Sequence, residues 1–174
     1  QPRVLIEMGA RSLTEPAEER EVISFIDSEY AHLPFAQKAT KVNAVVPTRT
    51  FIEKVLLLHE EFLKPIHHIR SERLSRHLYD IDRLANSEYA QRAYEDHALF
   101  EQIVAHRKAI TPLRNISYEF HKRDTLQIIP PDEVLTEWEK DYKGMQENMI
   151  IGDSKSFPDL LEKMKEVMWN FKTN

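Results

Sequence analysis

Apolar and polar positions along this chain follow two different periods. Up to about residue 47 they read as strands. Val4 to Met8 is a short apolar run closed by Gly9, and Glu21 to Asp27 gathers Val22, Ile23, Phe25 and Ile26. Lys41 to Val46 alternates less cleanly and stops at Pro47. Each run has the composition and length of a strand, and a polar connection over 14–19 separates the first two. From residue 48 the period becomes helical. Phe51, Val55, Leu58 and Phe62 fall on one helix face. Thr50 and Glu53 have the spacing of a capping box at its start, and Pro65 marks its end. Leu74, Leu78, Ile81 and Ala85 form a second stripe. Tyr89 to Lys108 reads as a third helix, with Leu99, Phe100, Ile103 and Val104 inward. Residues 109–131 are less regular. Asp132 to Asn148 reads as a further helix, and Pro158 to Phe171 as the last, with Pro158 in its first turn.

These periods predict an α+β chain. A partial sheet of about three strands occupies 1–47, and a bundle of about five helices occupies 48–174. So short a sheet leaves open edges, which leads us to expect further strands upstream. The start, Gln1-Pro2-Arg3, has neither an initiator methionine nor the basic-then-apolar pattern of a signal peptide. It reads as cut from something longer.

Composition narrows the function. A length of 174 residues with 41% apolar residues suits one domain with a real core. The absence of cysteine excludes a disulfide framework and a thiolate metal site. It suits a reducing compartment, and a cytoplasmic protein is expected. The longest apolar runs, 55–58 and 149–151, are far too short to span a membrane, so no membrane partner is expected. A net charge of −5 argues against a broad nucleic-acid footprint. Arg70, Arg73, Arg76 and Arg83 nevertheless cluster and can meet a phosphate locally. Glycine occurs only at 9, 144 and 152, which leaves no Gly-rich phosphate loop, and no G-x-S-x-G elbow supports acyl transfer.

Several residues remain as candidate chemistry, each with a plain structural alternative. Lys54 lies about 60° from the apolar stripe of its helix, at 100° per residue. It is either a lysine whose stem lies on the core or a phosphate-binding cation. Asp80 shares the polar side of the second helix with Arg73, Arg76 and Arg83. It can pair with Arg76 four residues away, or face a cleft. Glu7 is an edge-strand carboxylate or a metal-coordinating one. His59, His67, His68 and His77 lie close in sequence, and His59-Glu60-Glu61 begins like a zincin helix. The second histidine at i+4 is missing, so scattered surface histidines are the expected arrangement.

Three segments resemble, in order, the C-terminal part of the AbiEii/AbiGii toxin family of nucleotidyltransferases. They are Val4-Leu5-Ile6-Glu7-Met8-Gly9-Ala10-Arg11-Ser12, then Arg49-Thr50-Phe51-Ile52-Glu53-Lys54 with Leu58-His59-Glu60-Glu61, then Arg76-His77-Leu78-Tyr79-Asp80-Ile81. The resemblance implies a nucleotidyltransferase-type sheet with a helical C-terminal domain. It implies transfer of a nucleotide from a nucleoside triphosphate with Mg2+ (magnesium), toxin activity, a cognate antitoxin and, in some members, transfer RNA as acceptor. By position, Glu7 resembles the third carboxylate of the metal site, Lys54 the lysine that contacts the triphosphate, and Asp80 the later essential aspartate. Arg76, beside that aspartate, is a further candidate for nucleotide binding. The family's upstream Gly-Gly/Ser motif and its Asp-x-Asp pair are not in this sequence. Asp80-Ile81-Asp82 has those letters but follows the lysine, in a helix. The expectation is therefore the C-terminal portion of a nucleotidyltransferase, inactive by itself. The competing expectation is a non-catalytic interaction module that keeps the fold.

Overall fold

The computed structural model describes residues 16–110 and 116–174. The run 4–8, with Glu7, lies outside them. The chain divides into two compact units, Gln1–Val46 and Pro47–Asn174.

In the first unit, β1 (Ala17–Val22) pairs antiparallel with β2 (Thr40–Val45), in a register that sets Ala17 opposite Val45 and Val22 opposite Thr40. These are the only strands among the described residues. The α+β class holds, but of the run 21–27 only Glu21 and Val22 are in a strand. β1 begins earlier, in the polar connection, and residues 25–29 turn into the short helix α1 (Phe25–Glu29). The reason is local. The Ser24 hydroxyl accepts the Asp27 N–H at 3.0 Å and caps α1, which diverts the chain before Phe25 and Ile26 can extend the ribbon. The Asp27 carboxylate also accepts the Gln37 N–H at 2.9 Å and ties α1 to the following loop. β1 is legible less by apolar alternation than by its cross-strand partners, such as Lys41 and Glu19 at 2.7 Å.

The second unit is helical. α2 (Pro47–Phe62) starts at a proline, whose missing N–H costs nothing at a helix start. Thr50 therefore sits inside α2 rather than at its cap. Glu53 pairs instead with Arg49, at 2.7 Å. The stripe Phe51, Val55 and Leu58 is fully buried. α3 (Ser75–Ala85) follows after an irregular stretch and buries Leu78 and Ile81. The expected helix 89–108 is two helices, α4 (Glu88–Glu95) and α5 (His97–Ile110). Asp96 makes the break: its carboxylate accepts the Leu99 N–H at 2.9 Å, which caps α5 and ends α4. α6 (Leu135–Asn148) and α7 (Phe157–Thr173) complete the unit, the latter capped by Ser156 with Pro158 in its first turn. α3 packs against α2, α4, α6 and α7, which makes it the central helix. Phe51, Tyr94, Phe100 and Phe171 meet ring to ring in the core. Among the described residues no helix is long and apolar enough to cross a membrane.

Candidate functional site

The pairing of α2 with α3 decides where the candidate side chains go. Both helices bury a stripe in the common core, and the two helices pack against each other. Lys54, beside its stripe, and Asp80, on the polar side of α3, meet at the seam. Lys54 Nζ donates to Asp80 Oδ2 at 2.6 Å. Both are part-exposed, with 24% and 37% of their side-chain surface open. The pair therefore stands at an accessible edge rather than in the core.

His77, one turn before Asp80 on α3, completes the cluster. Its ring is buried, and its Nδ1 lies 4.0 Å from the same Asp80 oxygen, without a hydrogen-bond partner. Burial first, then the positive charges of Lys54 and Arg76, pull its pKa down to about 4. The imidazole is therefore neutral near pH 7.

Arg76 does not pair with Asp80, which is held by Lys54 instead. Arg76 is exposed and lines a separate open groove of about 540 Å³ between α3 and α6, with Arg73, Lys140, Glu137 and Met145. Neither Lys54 nor Asp80 lines that groove. The groove's wall is fixed by Asp141 of α6. Its carboxylate accepts the backbone N–H groups of Arg73 at 2.8 Å and Ser75 at 3.1 Å, and the Ser75 hydroxyl. It thus caps α3 from a distant helix and holds Arg73 at a φ of 59°.

The segment Leu58-His59-Glu60-Glu61 is buried, and its polar members hold other segments in place. His59 is not a surface histidine. Its Nε2–H donates to the Phe120 carbonyl at 2.9 Å, and its Nδ1 accepts the Gln127 N–H at 3.0 Å, which fixes the tautomer. Burial, then neighbouring His121, lowers its pKa to about 4. Glu60 accepts two hydrogen bonds from Arg107, and His121 Nε2 lies 3.3 Å away. Burial opposes ionisation of Glu60, but these partners outweigh it and hold the carboxyl below its ordinary range. Glu61 accepts from Lys64 at 2.6 Å and from the Arg70 side chain at 2.9 Å, and it is held low for the same reason. These residues anchor the loops that follow α2 and α5. An apolar-periodicity reading cannot find such anchors, because their partners lie far along the chain.

Magnesium takes several oxygen ligands at one place. Among the described residues no three histidine or acidic side chains gather in that way, and the Asp80 carboxylate is engaged by Lys54. The described residues alone do not make a magnesium site, and Glu7 lies outside them. The chemistry they offer is a lysine ammonium held by a carboxylate at an open edge, with a neutral imidazole behind it.

No curated protein and no solved structure matches the chain. A family model does match it, over residues 1–164, and it describes a nucleotidyl transferase AbiEii toxin of a type IV toxin–antitoxin system. The match spans nearly all of the sequence, the Lys54–Asp80 seam included, and the chain belongs to the AbiEii nucleotidyl transferase toxin family.

Proposed function

We propose that this chain supplies the triphosphate-contacting side of a nucleotidyl-transfer site, with Lys54 and Asp80 as its catalytic residues. The observation that carries this reading is the Lys54–Asp80 pair, 2.6 Å apart across the α2–α3 seam and still reached by solvent. A lysine ammonium is a point charge suited to phosphate oxygens. Placed at a triphosphate, it offsets the charge that grows on the departing pyrophosphate. Asp80 holds the ammonium in place until substrate arrives. Arg76, one turn away, adds positive charge for the nucleotide. Glu7 is the candidate metal ligand, and Mg2+ the expected ion. Nucleotidyltransferases of this kind generally use a divalent metal. Residues 1–47 belong to the nucleotidyltransferase-type sheet in this reading, and 48–174 to the helical domain. The reaction is transfer of a nucleotide from a nucleoside triphosphate to an acceptor such as transfer RNA, in the cytoplasm. An antitoxin is the expected partner, as the toxin family implies.

A second reading has its own support. The two charges already satisfy one another, so the pair can be a clamp between α2 and α3 and nothing more. Equilibrium binding of a radiolabelled nucleoside triphosphate separates the two. On the catalytic reading, Lys54→Met weakens binding by about tenfold or more, the size of one lost charge-assisted contact. On the clamp reading, binding stays unchanged.

A further inference from the structure

His77 has no role in the reading above, yet it is the most unusual polar group of the seam. It is buried, its Nδ1 has no partner, and it stands next to a carboxylate. Buried polar atoms are nearly always hydrogen-bonded, so an orphan at this place calls for a reason. The gap of 4.0 Å to Asp80 Oδ2 exceeds a hydrogen bond by roughly 1 Å, given a usual N–H···O length of about 2.9 Å. A small turn of either side chain closes it. The oxygen that His77 approaches is the one Lys54 now occupies.

On the catalytic reading, Lys54 must give its ammonium to the phosphates of the incoming triphosphate. Asp80 would then be left with an unanswered charge at the edge of the core. We infer that His77 is a positioning residue, which hydrogen-bonds Asp80 through Nδ1 when Lys54 turns onto the phosphates and so keeps the carboxylate aimed at the site. This inference rests on the catalytic reading for its purpose, though not for its chemistry.

The charges around the ring fit the exchange. Lys54 of α2, and Arg76 and Asp80 of α3, are the charged groups that act on His77. The other helices packed on α3, namely α4, α6 and α7, supply no charge that shifts it among the described residues. Burial is the first cause that keeps the imidazole neutral, and two of these three groups are cations that add to it while Lys54 stays on Asp80. When the ammonium leaves, its repulsion leaves with it, and the carboxylate alone faces Nδ1. The imidazole, in the tautomer that carries its proton on Nδ1, then donates a hydrogen bond to Asp80 Oδ2, and the unopposed carboxylate raises its pKa.

The exchange can be imitated without nucleotide. Lys54→Met removes the ammonium and keeps most of the stem packing. The experiment follows the His77 ring Cε1–H by NMR across a pH titration in the wild-type chain, in Lys54→Met and in Lys54→Met/Asp80→Asn. Wild-type His77 is expected to titrate near 4. In Lys54→Met it is expected to titrate roughly 1–3 pH units higher, the range for an ionisable group that gains an opposite charge at close contact. Adding Asp80→Asn is expected to cancel most of that rise. Lys54→Gln repeats the measurement with a polar stem, in case the methionine disturbs the seam. An unmoved titration in both Lys54 variants overturns the inference, and so does a rise that persists undiminished with Asn at position 80. Nucleotide transfer is then compared for His77→Asn and His77→Leu. The asparagine amide can donate from near the Nδ1 position and is expected to keep most of the activity, while leucine cannot and is expected to lower kcat more than KM. Equal losses in both variants contradict a positioning role. The titration needs neither substrate nor turnover. A failed transfer assay with an intact titration shift therefore sinks the catalytic reading alone. An intact dependence of transfer on Lys54, with no titration shift, sinks the His77 inference alone.

Discussion

Phe25 and Phe51 show how differently the two units use the same residue type. Phe25, on α1, is 96% exposed, and its neighbours Val22, Ile23 and Ile26 are open to solvent as well. Phe51, on α2, is fully buried between Tyr94 and Phe171. Both stand in runs of apolar residues, and their local sequences are comparably hydrophobic. What differs is the number of partners that the topology supplies. A two-stranded ribbon offers a strand one neighbour, and its faces find no second layer among the described residues of its unit. α2 meets α3, α4 and α5 in turn. Burial is thus decided by the layer an element packs on, and a hydrophobic run by itself does not imply a core.

The sharpest way to break this comparison is truncation. Phe51→Ala is expected to destabilise the helical unit by about 3–5 kcal/mol, the cost of removing a buried phenylalanine. Phe25→Ala is expected to stay within about 0.5 kcal/mol. Urea unfolding followed by amide hydrogen exchange, read separately in each unit, reports both. Comparable losses at the two sites would undo the contrast.

The polar anchors sharpen it further. Glu60→Leu leaves the Arg107 guanidinium without its carboxylate in a largely buried place. It is expected to cost about 3 kcal/mol, the low end for a broken buried pair, because Arg107 keeps some contact with solvent. Lys41→Ala removes the cross-strand partner of Glu19 in the ribbon, where both groups are exposed, and its effect should be near zero. Denaturant midpoints of the two variants give the check.

Acid provides a third test. His59 and His77 titrate near 4 in the fold against about 6.5 unfolded. Between those values the unfolded chain binds more protons than the folded one. The stability these neutral rings contribute is complete above about pH 6.5 and is lost as pH falls towards 4. The slope should reach at most roughly 1.4 kcal/mol per pH unit for each histidine. Glu60 and Glu61, held low, add a loss of the same sign at still lower pH. Midpoints measured from pH 7 to 4 should fall steadily, and His59→Gln, though less stable throughout, should flatten the curve. A midpoint that rises on acidification would contradict the histidine assignments.

The helical unit was largely legible because its order is local. A stripe such as Phe51, Val55, Leu58 announces a helix and its buried face together. Lys54 could be placed beside such a stripe from spacing alone, whereas the pairing of Asp80 with Lys54 rests on the contact of α2 with α3. What escaped reading depends on distant partners or on competing local bonds. Asp96 breaks 89–108 into two helices by capping the second, in a window where the apolar period runs on unbroken. Asp141 caps α3 from 66 residues away, and no window of sequence contains that contact. His59 and His77 looked like surface histidines because a lone imidazole carries no periodic signal. The one available hint was that His59 sits one turn after Val55 on a stripe and His77 beside Leu78. The ribbon was misjudged at 23–27 because strand propensity was weighed without the Ser24 cap.

The central claim is that Lys54 acts on substrate and is more than a clamp between α2 and α3. It is tested most directly by measuring transfer and stability side by side for Lys54→Met, in the protein that carries this chain. A part-exposed ion pair contributes about 1 kcal/mol at most, so unfolding free energy should hardly change. Transfer of labelled nucleotide from a nucleoside triphosphate should fall by about 10²-fold or more, as when one stabiliser of transition-state charge is removed. Transfer that survives intact in Lys54→Met, with stability lowered, would show that the pair serves only to hold α2 to α3.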